Sequence, residues 1–112
     1  MVKKFIPSRG DVVWLSFDPQ AGHEQSGHRP ALVLSPLEYN RLTGLALCCP
    51  LTSRVKGYPF EVAVPAGLPV EGVVLADQIK CLDWKSRQAK LCCHFPDQAV
   101  LEVLAKLNTL IV

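Results

Sequence analysis

The apolar residues of the chain occur in short runs separated by turn-forming residues, which is the pattern of a mainly β protein. Most runs are rich in β-branched, aliphatic or aromatic side chains, and these types favour strands. In the run at residues 58–64, Phe60, Val62 and Val64 share one face of the predicted strand. The sequence predicts strands at residues 12–17, 31–34, 45–51, 58–64 and 73–84, the last being a long strand whose second half alternates.

The hydrophobic period changes near the carboxyl end. Apolar residues recur there at helical spacing, and Pro96 stands where a first-turn proline is expected. The sequence therefore predicts a terminal amphipathic helix, with a core-facing side made of Val100, Val103, Leu104, Leu107, Leu110 and Ile111. A second, short helix is expected to begin at residues 35–38, since Ser-Pro-Leu-Glu matches a capping box with proline at the first helical position.

Short strands, one small helix and one terminal helix predict a compact, strongly bent antiparallel barrel with a helix packed against it. The fold class is thus mainly β with a small α content. A length of 112 residues suits a single domain spanning residues 1–112. The segment at residues 20–30 has no apolar period and contains two glycines, so it reads as an exposed loop.

Charge and targeting signals add little. There are 12 basic and 10 acidic residues, and a net charge of +2 does not by itself indicate a nucleic-acid partner. The apolar stretch after the first lysines is only Phe5-Ile6 before Pro7, so no export signal is visible, and no run is long enough to span a membrane. We expect a cytoplasmic protein that does not contact a membrane.

The five cysteines form two adjacent pairs, at residues 48–49 and 92–93, and one single residue, Cys81. An odd count disfavours a disulfide framework, and adjacent residues on a strand face opposite sides. Cys92-Cys93-His94 contains zinc-ligand residue types, but no Cys-x-x-Cys spacing exists. We expect small buried thiols in a reducing compartment, with no metal and no cofactor.

Two polar segments could carry chemistry. The loop between His23 and Arg29 gathers two histidines, a glutamate, a glutamine and an arginine without an apolar side chain, although a solvated hairpin loop would look the same. Thr52 and Ser53 end a predicted strand and precede Arg54 and Lys56. Hydroxyls beside cations suit phosphate binding, while threonine and serine at strand ends also commonly cap turns.

Five segments stand out by their order and spacing: GDVVW at residues 10–14, GHEQSGHRPALVLSP at 22–36, PLTS at 50–53, KGYPF at 56–60 and VLADQ at 74–78. In order, spacing and total length they closely resemble the MazF/PemK family of bacterial toxins, and most of all its MazF branch. The resemblance covers essentially the whole chain. It implies a small SH3-like or CcdB-like barrel that forms a homodimer.

The resemblance also implies a metal-independent endoribonuclease. Such an enzyme cuts single-stranded mRNA at short sequences and leaves a 2′,3′-cyclic phosphate and a 5′-hydroxyl. By position, Arg29 and Thr52 match the family's catalytic pair, and Glu24 matches an acidic residue associated with activity. His23 is similar to a catalytic histidine of the PemK branch. That branch also has an arginine two residues before its Asp-Gln motif, where this chain has Leu75.

The chemistry of the residues agrees with that implication. When a ribose 2′-hydroxyl attacks its own phosphate, negative charge grows on the phosphorane and two protons must move. Arg29 supplies a forked cation, and Thr52 can donate through its hydroxyl or a neighbouring amide. Arginine is a poor proton acceptor because its pKa lies above about 12. We therefore expect the general base to be Glu24, His23 or His28. The family resemblance also allows a proton-transfer role for arginine, and His28 could instead pack against or orient Arg29.

RNA recognition would rest on stacking and on hydrogen bonds to unpaired base edges. Trp14 and Phe17 are alternative stacking residues, but strand aromatics such as these and Phe60 are more often core. Asp77 and Gln78 could equally stabilise a loop. The residues expected to bind RNA are Ser53, Lys56, Tyr58, Asp77, Gln78 and Lys80. A second basic cluster, Lys85, Arg87 and Lys90, could steer RNA, dock an acidic antitoxin or merely be solvated.

The expected partners are single-stranded RNA, a second copy of the chain and a cognate acidic antitoxin that occupies the RNA groove. Two alternatives belong to other functional classes. A CcdB-like gyrase poison is associated with a tryptophan near the carboxyl end, whereas this chain ends in Asn-Thr-Leu-Ile-Val. A catalytically silent nucleic-acid-binding barrel would bind RNA without cutting it.

Overall fold

The computed structural model describes residues 4–19 and 21–112, and within them the chain forms one antiparallel sheet and two α-helices. No helix in these two ranges is long and apolar enough to cross a membrane. A 3₁₀ turn, Ala76–Gln78, separates two of the strands. The elements are β1 Asp11–Ser16, β2 His28–Val33, α1 Leu37–Thr43, β3 Leu45–Thr52, β4 Glu61–Ala63, β5 Val73–Leu75, β6 Lys80–Asp83, β7 Lys90–His94 and α2 Asp97–Ile111.

The sheet is organised around β3. Its strand order is β4-β5-β3-β2-β1-β7, and β6 pairs with the first half of β3. The first four residues of β3 face β6, whereas Leu51 and Thr52 face β5. This confirms the predicted mainly β, antiparallel fold class with a carboxyl-terminal helix. The predicted barrel is wrong in one respect: among the residues that the structure describes the sheet does not close on itself, because β4 and β7 end the path.

The two faces of the sheet bury separate apolar clusters, as strand alternation requires. On one face Val12 and Leu32 pack with Phe95 and with the buried side of α2. On the other face Val13 and Leu15 pack with Trp84 and other residues. The residues of α2 that are buried are Ala99, Val100, Val103 and Leu107, while Leu110 and Ile111 are exposed, so the predicted core side of this helix is wrong in its last turn.

The predicted strand at residues 73–84 is two strands. β5 and β6 pair with different segments of β3, and the chain must step from one to the other. The 3₁₀ turn makes that step, held by a hydrogen bond from the Ala76 N–H to the Phe60 carbonyl at 3.1 Å. The polar Asp77-Gln78 step inside an apolar run is where the strand breaks.

Other strand boundaries differ from the predicted ones. β2 begins at His28 because that residue and Arg29 already pair with β1, so the exposed loop ends earlier than residue 30. Gln20, at the start of that predicted loop, lies outside the described residues. β4 is shorter than the predicted 58–64. β7 was not predicted, because its sequence is a mixture of polar and apolar residues whose alternation is interrupted by a bulge opposite Val12 and Val13.

The capping box expected at the start of α1 does not form among the described residues. Pro36 occupies the N-cap position and makes no side-chain cap bond. Ser35 is buried instead: its hydroxyl donates to Asn40 Oδ1 at 2.5 Å and accepts from the Leu47 N–H at 2.8 Å. The Ser35 hydroxyl, which the local sequence pattern predicted as the cap of α1, is therefore used in tertiary hydrogen bonds instead.

The cysteines are all free, and the expectation of buried thiols is only partly correct. Cys48 and Cys49 are buried, and burial raises the pKa of each to about 12. Cys81 is exposed, and Cys92 and Cys93 are half-buried. No group of three His, Cys, Asp or Glu side chains that could hold a metal ion occurs in residues 4–19 and 21–112.

Candidate functional site

A groove of about 1040 Å³ opens where the loop before β2, the end of β3 and the 3₁₀ turn meet. The segment after β3 and the residues around Val70 complete its walls. Ten residues expected to be catalytic or to bind RNA line it: His23, Glu24, His28, Arg29, Thr52, Ser53, Lys56, Tyr58, Asp77 and Gln78. Lys80, the remaining one, is not among the lining residues and contacts Glu24. The fold thus gathers residues from five separate segments of the chain around one opening, Trp14 of β1 being one of them.

Arg29 crosses from β2 to the end of β3. Its Nε donates to the Ser26 carbonyl at 2.8 Å and its Nη1 donates to the Leu51 carbonyl at 3.1 Å. A guanidinium has five N–H groups, so these two bonds fix its plane while leaving others for a ligand. Because Leu51 immediately precedes Thr52, the guanidinium is held next to the Thr52 backbone.

The Thr52 hydroxyl is placed at the last residue of β3. Its Oγ1 accepts a hydrogen bond from the Arg54 N–H at 3.2 Å, so the sequence reading of a strand-end cap is correct in part. A hydroxyl that accepts one hydrogen bond still has its own proton to donate. Thr52 is half-buried at the groove, and it can therefore both hold the turn and donate to an anion.

Gly72 packs directly against the backbone of Thr52, a relationship that sequence reasoning missed. It has a φ of +101°, and a Cβ added there would lie 2.1 Å from the Thr52 carbonyl oxygen and 2.8 Å from Ser53 Cα. Only glycine tolerates both this backbone conformation and this close approach. The Glu71-Gly72 step before the β5 run carried a turn signal, but the contact itself depends on the β3–β5 pairing.

Glu24 anchors the loop before β2. One carboxylate oxygen, Oε2, lies 2.9 Å from Lys80 Nζ, and the other, Oε1, accepts from the Ala21 N–H at 2.9 Å. The hydrogen bond from Lys80, together with the Ala21 N–H, lowers the pKa of Glu24 below its ordinary value of 4.5. Both oxygens are occupied and the carboxylate is a weakened proton acceptor, which is unfavourable for a general base.

A second contact fixes the same loop to the 3₁₀ turn. The Gln25 N–H donates to Gln78 Oε1 at 2.9 Å. Gln78 therefore stabilises a loop, which is one of the two roles that the sequence suggested for it, the other being RNA binding. Asp77 beside it is exposed at the groove.

The two histidines of the loop have different surroundings. The His28 ring stacks on Trp14, with centroids 5.9 Å apart and planes inclined by 8°. Trp14 is 36% exposed and lines the groove, so the prediction that it belongs to the core is wrong. Phe17 is buried, and the same prediction is correct for it. His23 is exposed at the loop tip. The Trp14–His28 pair presents a flat surface to the groove.

Glu61 organises the part of the groove wall that follows β3. Its carboxylate accepts from the Lys56 N–H at 3.1 Å and from the Gly57 N–H at 2.9 Å. This holds the segment so that Lys56 Nζ lies 5.7 Å from the centre of the Tyr58 ring, and Tyr58 is 61% exposed. An exposed aromatic ring beside a cation is suited to a base and its phosphate. Sequence reasoning missed Glu61, since a strand glutamate carries no signal of this local role.

The three residues of the second basic cluster, Lys85, Arg87 and Lys90, do not share one role. Arg87 donates through Nη1 to the Ser16 carbonyl at 2.6 Å and to the Asp18 carbonyl at 2.9 Å, so it secures the end of β1. Lys85 and Lys90 are exposed. Neither lines the groove.

Comparison with known proteins identifies the family. A family model described as a PemK-like, MazF-like toxin of type II toxin–antitoxin systems matches residues 8–111. The chain belongs to the MazF/PemK toxin family. It is 47% identical over 111 residues to the endoribonuclease toxin MazF of Escherichia coli K12, with 99% of each chain covered.

Solved structures agree with this placement in the MazF/PemK family. The crystal structure of MazF from Deinococcus radiodurans superposes with a TM-score of 0.94 at 56% identity, covering 96% of this chain and 98% of that one. A MazE–MazF structure from the same organism superposes with a TM-score of 0.87 at 56% identity, covering 96% and 97%. The open sheet with its carboxyl-terminal helix is therefore the architecture of MazF structures.

Proposed function

We propose that this groove cleaves single-stranded mRNA at short sequences, using its own side chains to move the 2′-hydroxyl onto the adjacent phosphate. Endoribonuclease activity is assigned through the family, since a relative named as an endoribonuclease toxin is 47% identical over 99% of the chain. In the proposed reaction the P–O2′ bond forms, the P–O5′ bond breaks and the leaving 5′-oxygen takes up a proton, so the products are a 2′,3′-cyclic phosphate and a 5′-hydroxyl. The activity belongs to a toxin that acts in the cytoplasm, where mRNA is found.

The meeting of Arg29 and Thr52 supports this proposal most directly. These residues are distant along the chain, yet Arg29 Nη1 bonds the carbonyl of Leu51, the neighbour of Thr52, inside an open groove. Had either been buried away from the groove, no phosphate could reach both. A site of this kind suits an anion because it combines a fixed cation with a free hydroxyl proton.

In the proposed reaction Arg29 and Thr52 act on the same phosphate. The N–H groups of Arg29 not used by Ser26 and Leu51 donate to nonbridging oxygens as charge develops on them. The Thr52 hydroxyl, which already accepts a hydrogen bond from the Arg54 N–H, donates a hydrogen bond to another nonbridging oxygen. Donors fixed before the reaction stabilise developing charge without a reorganisation cost, and losing one typically costs about 100- to 1,000-fold in rate.

Proton transfer from the 2′-hydroxyl is assigned to a histidine. Of the three expected bases, Glu24 has both oxygens engaged and a lowered pKa, which favours a role in positioning the loop. His28 and His23 line the groove, and His28 adjoins Arg29 in the chain. A histidine titrates near neutral pH and can serve as a base or an acid. A pH–rate limb that disappears in His28→Gln or His23→Gln supports this assignment, and a profile unchanged in both variants contradicts it.

The proposed partners follow from the groove and the family. A MazE–MazF complex structure is 56% identical to this chain over 96% of its length, which supports a cognate antitoxin. The cations Arg29, Arg54 and Lys56 line the groove, so an acidic antitoxin segment would complement it. We further propose that the toxin is a homodimer, and sedimentation at micromolar concentration tests this.

The central test is cleavage of an unstructured RNA in the presence of a chelator. We expect fragments whose ends carry a cyclic phosphate and a 5′-hydroxyl, read by end-specific labelling. Arg29→Ala should abolish cleavage while leaving most RNA affinity in place. Arg41→Ala is the matched control, because Arg41 pairs with Glu38 on α1 at 2.7 Å, outside the groove.

Three outcomes would overturn the proposal. Intact RNA at high enzyme concentration favours the silent RNA-binding barrel. Fragments with 3′-hydroxyl ends indicate a different reaction. Equal cleavage by the wild type and Arg29→Ala removes the guanidinium from the mechanism.

A further inference from the structure

The chain contains two pairs of adjacent cysteines, one on a regular strand and the other at a β-bulge. Cys48 and Cys49 lie on the regular strand β3, where successive side chains alternate. Cys48 packs into the cluster around Val13, and Cys49 packs into the cluster around Val12 on the other face of the sheet. These two thiols are separated by the sheet itself.

Cys92 and Cys93 lie at a β-bulge in β7. Cys93 pairs with Val12 and Leu91 pairs with Val13, so Cys92 is the extra residue between two consecutive positions of β1. A bulge interrupts the alternation and redirects a side chain. Both Cys92 and Cys93 accordingly pack against the same cluster, the one that contains Val12, and both are half-buried. The expectation that adjacent cysteines face opposite sides is correct for β3 and wrong for β7.

The neighbouring histidine does not convert this pair into a zinc site. His94 Nδ1 lies 2.9 Å from Asp11 Oδ1, so that nitrogen is occupied by the carboxylate. No third ligand joins the two thiols in the described part of the chain. The groups present are therefore two thiols on one face, reachable from solvent.

A disulfide between these residues is geometrically unfavourable. Consecutive Cα atoms are about 3.8 Å apart, whereas disulfides usually join Cα atoms about 4.4–6.8 Å apart. Closing one would distort a strand whose backbone is paired with β1. A single bridging atom that bonds both sulfurs needs less distortion, because it forms a larger ring.

We propose that Cys92 and Cys93 form a vicinal dithiol site for a trivalent arsenical. In the reaction R–As(OH)₂ + 2 R′SH → R–As(SR′)₂ + 2 H₂O, two As–O bonds break and two As–S bonds form. Each thiol proton leaves with a hydroxide as water, and no atom changes oxidation state. The site takes soft, thiophilic compounds that bind two sulfurs, and it lies outside the RNA groove.

Burial and the neighbouring Cys92 thiol raise the pKa of Cys93 to about 11. Cys93 is then mostly protonated at neutral pH, which slows its alkylation by reagents that need a thiolate. The proposed site is therefore distinguished from an ordinary reactive cysteine by selective binding of a reagent that bonds two sulfurs.

The test incubates the folded, full-length protein with phenylarsine oxide and measures the intact mass. We expect one arsenical per chain, stable to excess glutathione and removed by a dithiol. Peptide mapping of the wild-type adduct should place it at residues 92–93. In denaturant a second arsenical should bind, because unfolding frees Cys48 and Cys49 from opposite faces of the sheet.

Variants locate the site independently. Cys92→Ser and Cys93→Ser should each lose the glutathione-resistant adduct, while Cys81→Ser, which removes the exposed single thiol, should keep it. An unreacted native protein, an adduct mapped to Cys81, or full retention in Cys93→Ser would each overturn the proposal. Mapping on the wild type decides the question even where a variant fails to fold.

Discussion

Lys80 Nζ lies 2.9 Å from Glu24 Oε2 and joins the loop before β2 to the first residue of β6. The Gln25 N–H, one residue along, bonds Gln78 Oε1. Two adjacent loop residues are thus fixed to the turn and strand that follow β5. The position of the groove's polar loop therefore depends on contacts between segments more than 50 residues apart.

Lys80→Met should raise the pKa of Glu24 back toward its ordinary value of 4.5, since the hydrogen bond from Lys80 is the main cause of the lowering. A lowered folded-state pKa means that the contact stabilises the fold above pH 4.5 and that this stabilisation is lost as pH falls through the lowered pKa. Carboxyl ¹³C NMR measures the titration. Lys85→Met, at an exposed lysine, should leave it unchanged, and an unaltered Glu24 titration in Lys80→Met would contradict the ion pair.

Gly72→Ala should impair both stability and cleavage. The new Cβ meets the Thr52 carbonyl oxygen at 2.1 Å, and β3 must shift where Thr52 faces the groove. We expect a loss of more than about 1 kcal/mol in the free energy of unfolding, and a fall in cleavage rate measured at a temperature where the variant is folded.

The matched control for that change is Gly67→Ala. Gly67 also has a positive φ, +88°, but an added Cβ there meets nothing within 4 Å. Gly67→Ala therefore shows the effect of backbone conformation alone. Equal losses in both variants would mean that the contact with Thr52 carries no cost of its own.

Local patterns in the sequence were sufficient for most of the fold. The runs containing Val12 and Leu47 became β1 and β3, because strand residues with one buried face repeat with a period that is visible locally. The run from Val73 to Trp84 was wrongly predicted as one strand. Both of its halves are strands, and the turn between them is required only because they pair with different parts of β3. Pairing partners are not encoded in a local window.

The candidate site divides in the same way. The residues expected at the groove were identified through motif resemblance, and ten of them line it. The supporting contacts of Gly72 and Glu61 were not found, because each acts on a backbone atom that only the folded chain brings near. Lys80 was expected to touch RNA, but its nearest partner is Glu24.

Trp14→Ala should weaken RNA binding. Trp14 forms a stacked pair with His28 at the edge of the groove, and stacking of a base on an aromatic ring contributes about 1–3 kcal/mol. Fluorescence anisotropy with a labelled, non-cleavable RNA measures the loss. Tyr39→Ala is the control, because Tyr39 is an exposed aromatic outside the groove. Equal affinity of the wild type and Trp14→Ala would exclude the stack from RNA binding.

Asn40→Ala should destabilise the fold without touching the groove. Asn40 is fully buried; its Nδ2 donates to the Pro7 carbonyl at 2.7 Å and to the Ser35 carbonyl at 3.1 Å, and its Oδ1 accepts from the Ser35 hydroxyl. Removing the amide leaves buried polar groups without partners, at about 1–3 kcal/mol for each. We expect a lower urea midpoint with an unchanged slope. Asn108→Ala, at an exposed position of α2, should have little effect, and a loss of stability no larger than that of Asn108→Ala would show that the buried network contributes nothing.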